Sequence, residues 1–118
     1  MIHHVTFEVA RERWDACAAF YELLGFERVQ PPPSLAERAA WMERGGTQVH
    51  LMDVEDPVVL PRGHVAVVVA DYDRTLEALR AAGHEVEPRR EHWGSPRAYV
   101  HDPAGNLVEL VAFPPGGG

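Results

Sequence analysis

The sequence has no lysine. All eleven of its basic side chains are arginines, set against 18 acidic ones for a formal charge of −7. An acidic chain without a basic run is a poor ligand for nucleic acid or an anionic membrane, and neither partner is expected. Cysteine occurs once, as Cys17, which excludes an internal disulfide framework and any cysteine-rich zinc cluster. No apolar run approaches the roughly 18 residues of a membrane-spanning helix. The opening MIHHVTFEVA lacks the basic start and apolar stretch of a secretory signal. These absences point to a soluble, cytoplasmic protein. At 118 residues the chain can bury one core but not two independent ones.

What is present is periodic. From His3 to Val9 the residues alternate, with Val5, Phe7 and Val9 on one face and His4, Thr6 and Glu8 on the other, the signature of a strand. Arg11 to Leu24 reads as a helix whose stripe is Cys17, Phe20, Tyr21 and Leu24, ended by Gly25. A short strand, 26–30, runs into the loop of Pro31, Pro32 and Pro33. Strands 39–44 and 47–53 flank the hairpin signal Gly45-Gly46. The order then begins again. Strand 63–70 is followed by a helix with Asp71 as the expected N-cap and Gly83 as its end. Strands 85–89, 96–101 and 106–113 follow, the last two joined by the turn Asp102-Pro103-Ala104-Gly105.

The second half repeats the first. His4 to Ala10 aligns with His64 to Ala70, Gly25 with Gly83, Gly46 with Gly105, and Val49-His50-Leu51 with Val108-Glu109-Leu110, at offsets of 60, 58, 59 and 59 residues. Matches in one order argue for a duplicated βαβββ unit. We therefore expect an α+β fold, one domain over residues 1–113 with modules 1–55 and 63–113, and a flexible tail at 114–118. Each module contributes one polar residue from its first strand and one from its last: His4 and His50, then His64 and Glu109. All four should face away from the helices. Three imidazoles and a carboxylate suit a divalent ion such as Zn²⁺, Ni²⁺, Co²⁺, Mn²⁺ or Fe²⁺.

The opening HHVTFEV, the helix end FYELLGF, the segment GHVAVVV and the closing DPAGNLVEL resemble the vicinal oxygen chelate superfamily. That group includes glyoxalase I, extradiol dioxygenases, fosfomycin-resistance transferases, methylmalonyl-CoA epimerase and bleomycin-resistance proteins. The resemblance spans residues 2–113. It implies a glyoxalase-like fold, with two modules forming a half-barrel cleft around a metal, and a homodimer. It places His4, His64 and Glu109 on ligand positions. His50 falls where glyoxalase I has a carboxylate that is both ligand and base, and Glu8 where bacterial glyoxalase I has a substrate-binding Arg. Both departures weigh against glutathione-dependent glyoxalase activity. Tyr99 matches a substrate-contacting Tyr of the fosfomycin transferases.

The functional reading is a metal-dependent, glyoxalase-like enzyme, with lyase or isomerase chemistry on a small substrate carrying vicinal oxygens. Glu109 and His50 are the candidate catalytic residues; Tyr99, Glu8 and Gln48 are the candidate substrate contacts. The alternatives are a non-catalytic antibiotic-binding protein of the bleomycin-resistance type, and an Fe(II) dioxygenase that uses His4, His64 and Glu109 alone. The plainer readings put His3 on the helix side or at the rim, His84 at a helix end, His92 and Trp93 in a surface loop, and Arg89-Arg90 on a solvated edge.

Overall fold

The alternation of the opening residues is realised as β1 (His4–Glu8). A 3₁₀ turn (Arg11–Arg13) leads into α1 (Trp14–Leu23). The strands β2 (Glu27–Val29), β3 (Ala39–Arg44) and β4 (Thr47–Met52) complete the first module. The second runs β5 (His64–Val68), α2 (Tyr72–Ala81), β6 (Val86–Arg89), β7 (Arg97–His101) and β8 (Leu107–Val111). This computed structural model describes residues 1–116; of the tail expected at 114–118, residues 117–118 lie outside the described residues. No helix among the described residues is long and apolar enough to cross a membrane.

Each module folds into one four-stranded sheet, ordered β1-β4-β3-β2 and β5-β8-β7-β6. The first and last strands pair in parallel and the others antiparallel. Gly45 and Gly46, at φ +57° and +85°, form the two-residue turn between β3 and β4, a conformation that disfavours residues with a Cβ. Both helices close alike. The Phe26 amide donates to the Tyr21 carbonyl (3.1 Å) and the His84 amide to the Leu79 carbonyl (3.0 Å). These are six-to-one bonds across Gly25 and Gly83, at φ +94° and +91°. Asp71 holds the N-cap position of α2 but makes no side-chain cap. Its carboxylate lies instead 3.8 Å from Arg74 Nε, one helical turn on.

The helix stripes meet the apolar sheet faces in one continuous core. Cys17, Phe20, Tyr21, Met42, Leu51, Leu79 and Leu110 are completely buried, each large aliphatic or aromatic side chain contributing roughly 1.5–3 kcal/mol. Burial, and then the nearby Asp102 carboxylate, push the Cys17 thiol up to about 12, which leaves no reactive thiolate near neutral pH. The molecule is elongated, 43 × 28 × 25 Å, with its modules side by side and α1 against α2.

Beyond the packing of α1 on α2, specific contacts join the modules, among them Arg13 Nη1 donating to the Pro103 carbonyl at 3.2 Å. The Phe20 and His84 rings meet edge to face at 5.1 Å. Arg44 Nη2 donates to the Val68 carbonyl at 2.8 Å. Deepest is Asp102. Its Oδ2 accepts the Tyr21 hydroxyl (2.8 Å) and Asn106 Nδ2 (3.0 Å), and its Oδ1 accepts the amides of Ala104 and Asn106 (both 2.9 Å). All four donors fall on one carboxylate that is only 3% exposed. Removing it strands buried donors. Asp102→Ala is therefore expected to cost about 3–5 kcal/mol and Tyr21→Phe about 1–2 kcal/mol, read from urea unfolding midpoints. Equal, small losses in both variants would show that the carboxylate does not organise this joint.

Candidate functional site

Parity places the candidate ligands on the sheet faces that the helices leave open. In the first sheet Thr6 pairs with His50 and His4 with Gln48, so His4 and His50 are diagonal neighbours on adjacent strands. Their rings stack at 4.0 Å and 17°. Trp41, opposite His50 on β3, stacks on it at 4.1 Å and 2°. Because β4 lies between β1 and β3, the His50 ring sits between His4 and Trp41. Its Nε2 is 2.7 Å from Gln48 Oε1, and Gln48 Nε2 donates to Glu43 Oε1 at 2.7 Å. Burial first, then His4 and His3, lower the His50 pKa to about 4. His3 is not on the helix side: its Nδ1 is 2.9 Å from that of His4. It precedes β1, where strand alternation no longer fixes its direction.

The second sheet is built differently. His64 Nδ1 is 2.9 Å from the Arg62 carbonyl oxygen, which can only accept, so Nδ1 carries the proton. Its Nε2 then lies 3.0 Å from Glu109 Oε1, while Glu109 Oε2 is 3.4 Å from Arg97 Nη1. Tyr99, the cross-strand partner of Glu109, has its ring 5.7 Å from His64 and beneath the guanidiniums of Arg89 and Arg97. Arg89 is thus engaged, not merely a solvated edge. Arg97 is nearly buried. Its Nε donates to the Arg90 carbonyl, and its Nη2 lies 3.0 Å from His92 Nε2.

The expected residues gather as two groups, one per sheet. Among the described residues no set of three or more His, Cys, Asp or Glu side chains is arranged to hold a metal ion within one chain. The second group nevertheless has a donor pair that fits such an ion. With metal–ligand bonds of about 2.1 Å, two donors at right angles on one ion are about 3 Å apart, the separation of His64 Nε2 and Glu109 Oε1. Gln48, expected to touch substrate, is buried between His50 and Glu43. Glu8 accepts the Val58 amide at 3.0 Å and so braces the linker. A cavity of about 290 Å³ beside this first group is lined by Thr6, Arg38, Trp41, His50, Met52 and neighbouring residues.

Sequence reasoning passed over Glu43 and gave Arg97 no role at the site. The Glu43–Gln48 contact had a signal, because a two-residue turn at Gly45-Gly46 fixes Glu43 opposite Gln48. The reach of Arg97 to Glu109 had a partial one: Arg97 alternates with Tyr99 and so shares its face, though it pairs with Val111 in register and touches Glu109 diagonally.

The His50 environment has a measurable consequence. Its pKa in the folded chain, about 4, is below the ordinary 6.5, so the unfolded chain binds the proton first as pH falls. The corresponding stability is present above pH 6.5 and lost toward pH 4, on the order of 1–3 kcal/mol. In chelator-treated protein, the drop in urea midpoint between pH 7 and pH 4.5 should be smaller for His50→Phe than for wild type. Identical drops would mean that His50 does not carry this dependence.

The comparisons agree with this geometry. A protein assigned to the glyoxalase family from Bacillus anthracis superposes with a TM-score of 0.85 at 28% identity, over 94% of this chain and 93% of that one. The lactoylglutathione lyase of Agrobacterium tumefaciens does so at 0.70 and 25%, over 94% and 92%. Oxidase ChaP-H2, at 0.78 and 19% over 100% and 97%, shares the fold. None of the curated proteins compared with the chain matches it. A family profile matches residues 1–110, and with two βαβββ modules in place, the chain belongs to the Glyoxalase/Bleomycin resistance protein/Dioxygenase superfamily.

Proposed function

We propose that this protein is a metal-dependent enzyme of the glyoxalase type, acting on a small substrate with two neighbouring oxygens, and that its site is completed in a homodimer. The observation that carries this reading is the His64–Glu109 pair. Nδ1 of His64 is committed as a donor to Arg62, and an ionised Glu109 can only accept. Two such atoms 3.0 Å apart call for a positive charge between them, a second proton or a cation. His4 holds the equivalent first-strand position on the other sheet. A second copy can bring the first sheet of one chain opposite the second sheet of the other.

His4, His64 and Glu109 would hold the ion, with His50 against His4. A bound divalent ion supplies Lewis-acid polarisation of the two substrate oxygens. The chain's own residues do the rest. Arg97 holds Glu109 Oε2 and so orients the carboxylate. His50, neutral near pH 7, offers an unprotonated nitrogen that can accept a hydrogen bond from the substrate. Trp41 and the cavity beside it accommodate the substrate body, and Tyr99 stands next to His64 for contact from the other sheet.

Protein loaded with Zn²⁺, Ni²⁺, Co²⁺, Mn²⁺ or Fe²⁺ should retain near one ion per chain for at least one of these metals. Light scattering should give about twice the 13.1 kDa chain mass. His64→Phe and Glu109→Gln are expected to weaken binding about 100-fold or more with unchanged far-UV circular dichroism. Wild-type protein that retains none of the five ions overturns the reading. Oxygen uptake with Fe²⁺ alone would move the chemistry to the dioxygenase branch.

Glutathione-dependent turnover of the methylglyoxal hemithioacetal is expected to fall below the usual enzyme range of about 1–1000 per second. Position 50 carries an imidazole in place of a carboxylate, and Glu8 turns its negative charge to the linker where a cation would be needed. Thioester absorbance reports the rate; turnover within that range would restore lactoylglutathione lyase activity as the leading function.

A further inference from the structure

His50 sits on the strand position that pairs with Glu109 in the repeat, yet its surroundings differ from those of Glu109. Gln48 and His50 are each only 8% exposed, and the chain Glu43–Gln48–His50 has one consistent direction. An ionised Glu43 only accepts, so the Gln48 amide must present its NH₂ to Glu43 (2.7 Å) and its oxygen to His50 (2.7 Å). That oxygen in turn requires a hydrogen on His50 Nε2. The ring is therefore the Nε2–H tautomer, and Nδ1 bears the lone pair.

Stacking bears on coordination. Trp41 lies parallel to the ring within 2°, and His4 stacks on it at 17°. The nitrogen lone pairs of an imidazole lie in the ring plane. Two stacked rings tilted by so little do not direct their lone pairs to a common point about 2.1 Å from both. His4 and His50 cannot ligate one ion without one ring leaving the stack. Movement of His50 would also break the Gln48 bond and expose the Trp41 face. His50 Nδ1, meanwhile, has no hydrogen-bond partner among the described residues. Because no fully buried side-chain nitrogen or oxygen there lacks a partner, this atom is open to an incoming molecule.

We propose that Glu43 and Gln48 lock His50 as its Nε2–H tautomer, and that its stack between Trp41 and His4 keeps it off the metal, so that the ring serves the cleft as a neutral acceptor through Nδ1. Coordination then falls to His4, His64 and Glu109. The assignment rests on the metal-dependent reading above and deepens it. It makes Glu43 and Gln48 positioning residues. It also selects substrates that carry a hydroxyl hydrogen for Nδ1 to accept, such as an α-hydroxy carbonyl compound or a catechol.

The test is nitrogen-15 NMR of the imidazole rings, first without metal and then through a Zn²⁺ titration. Expected is a protonated Nε2 and bare Nδ1 for His50 in metal-free wild type, and a mixed tautomer in Glu43→Leu. On adding Zn²⁺, ring nitrogens of His4 and His64 should move to metal-bound positions while those of His50 stay in place. In a parallel zinc competition assay, His50→Phe should keep its affinity within about threefold while His64→Phe loses about 100-fold. A metal-type shift of a His50 nitrogen in the wild-type protein, or equal losses in the two Phe variants, overturns the exclusion of His50 from the metal. An Nδ1–H or mixed tautomer in the metal-free wild type overturns the lock. Absence of zinc binding by the wild type, with neither of the other two signs, overturns the functional reading and the metal half of this proposal together, while the tautomer measured without metal still decides the lock.

Discussion

In each module the first strand pairs in parallel with the last, and the site depends on that pairing. β1 lies beside β4 and β5 beside β8. A parallel pair needs a crossover, which the helix and the two intervening strands provide. The register puts Thr6 opposite His50 and Ala66 opposite Glu109. The first-strand histidine of each module, two residues earlier, is then a diagonal neighbour of the last-strand residue on the same face. A slip of one residue in either ladder would turn His50 or Glu109 into the core. The apolar residues flanking them prevent that slip: Val49, Leu51, Val108 and Leu110 are all buried.

The two sheets use this shared geometry for different chemistry. In the second, every atom of the pair has an assigned direction: Arg62 takes the Nδ1 hydrogen of His64, and Arg97 takes one oxygen of Glu109. What remains is a nitrogen and an oxygen converging on a point that needs positive charge. In the first, the corresponding ring lies between two aromatic faces and its Nε2 is held by Gln48. Low polarity around a buried imidazole disfavours its charged form, so this ring is suited to accept hydrogen bonds while neutral. The two modules share one frame, and different residues at paired positions give one half a His–Glu pair and the other a stacked aromatic ring.

The joint between modules fixes how the two open faces sit relative to one another along the chain. Tyr21 on α1 reaches the turn before β8 through Asp102, and that same carboxylate holds the turn itself. A single buried acceptor therefore couples the helix packing of one module to the hairpin geometry of the other. This coupling accounts for the aspartate in a turn that, for local reasons alone, other residues could have supplied.

The sequence by itself determined the elements and their parity. Alternation in HHVTFEV and GHVAVVV, the helix stripes and the glycines at 25 and 83 depend on local backbone and hydrophobic periodicity, so they could be read without a partner strand in view. The same parity put His4, His50, His64 and Glu109 on the open faces, and the offset of about 59 residues linked them in pairs. Only the tertiary structure decided what each atom does. Whether Gln48 faces a substrate or His50, whether Arg97 reaches Glu109, and whether His3 joins His4 all depend on contacts between strands. So does the tautomer of His50, set by a carboxylate five residues before Gln48 in the chain and directly across the hairpin from it. Hydrogen-bond direction is a property of several groups at once, and a linear pattern, which reports each residue's face but not its neighbours' lone pairs, does not carry it.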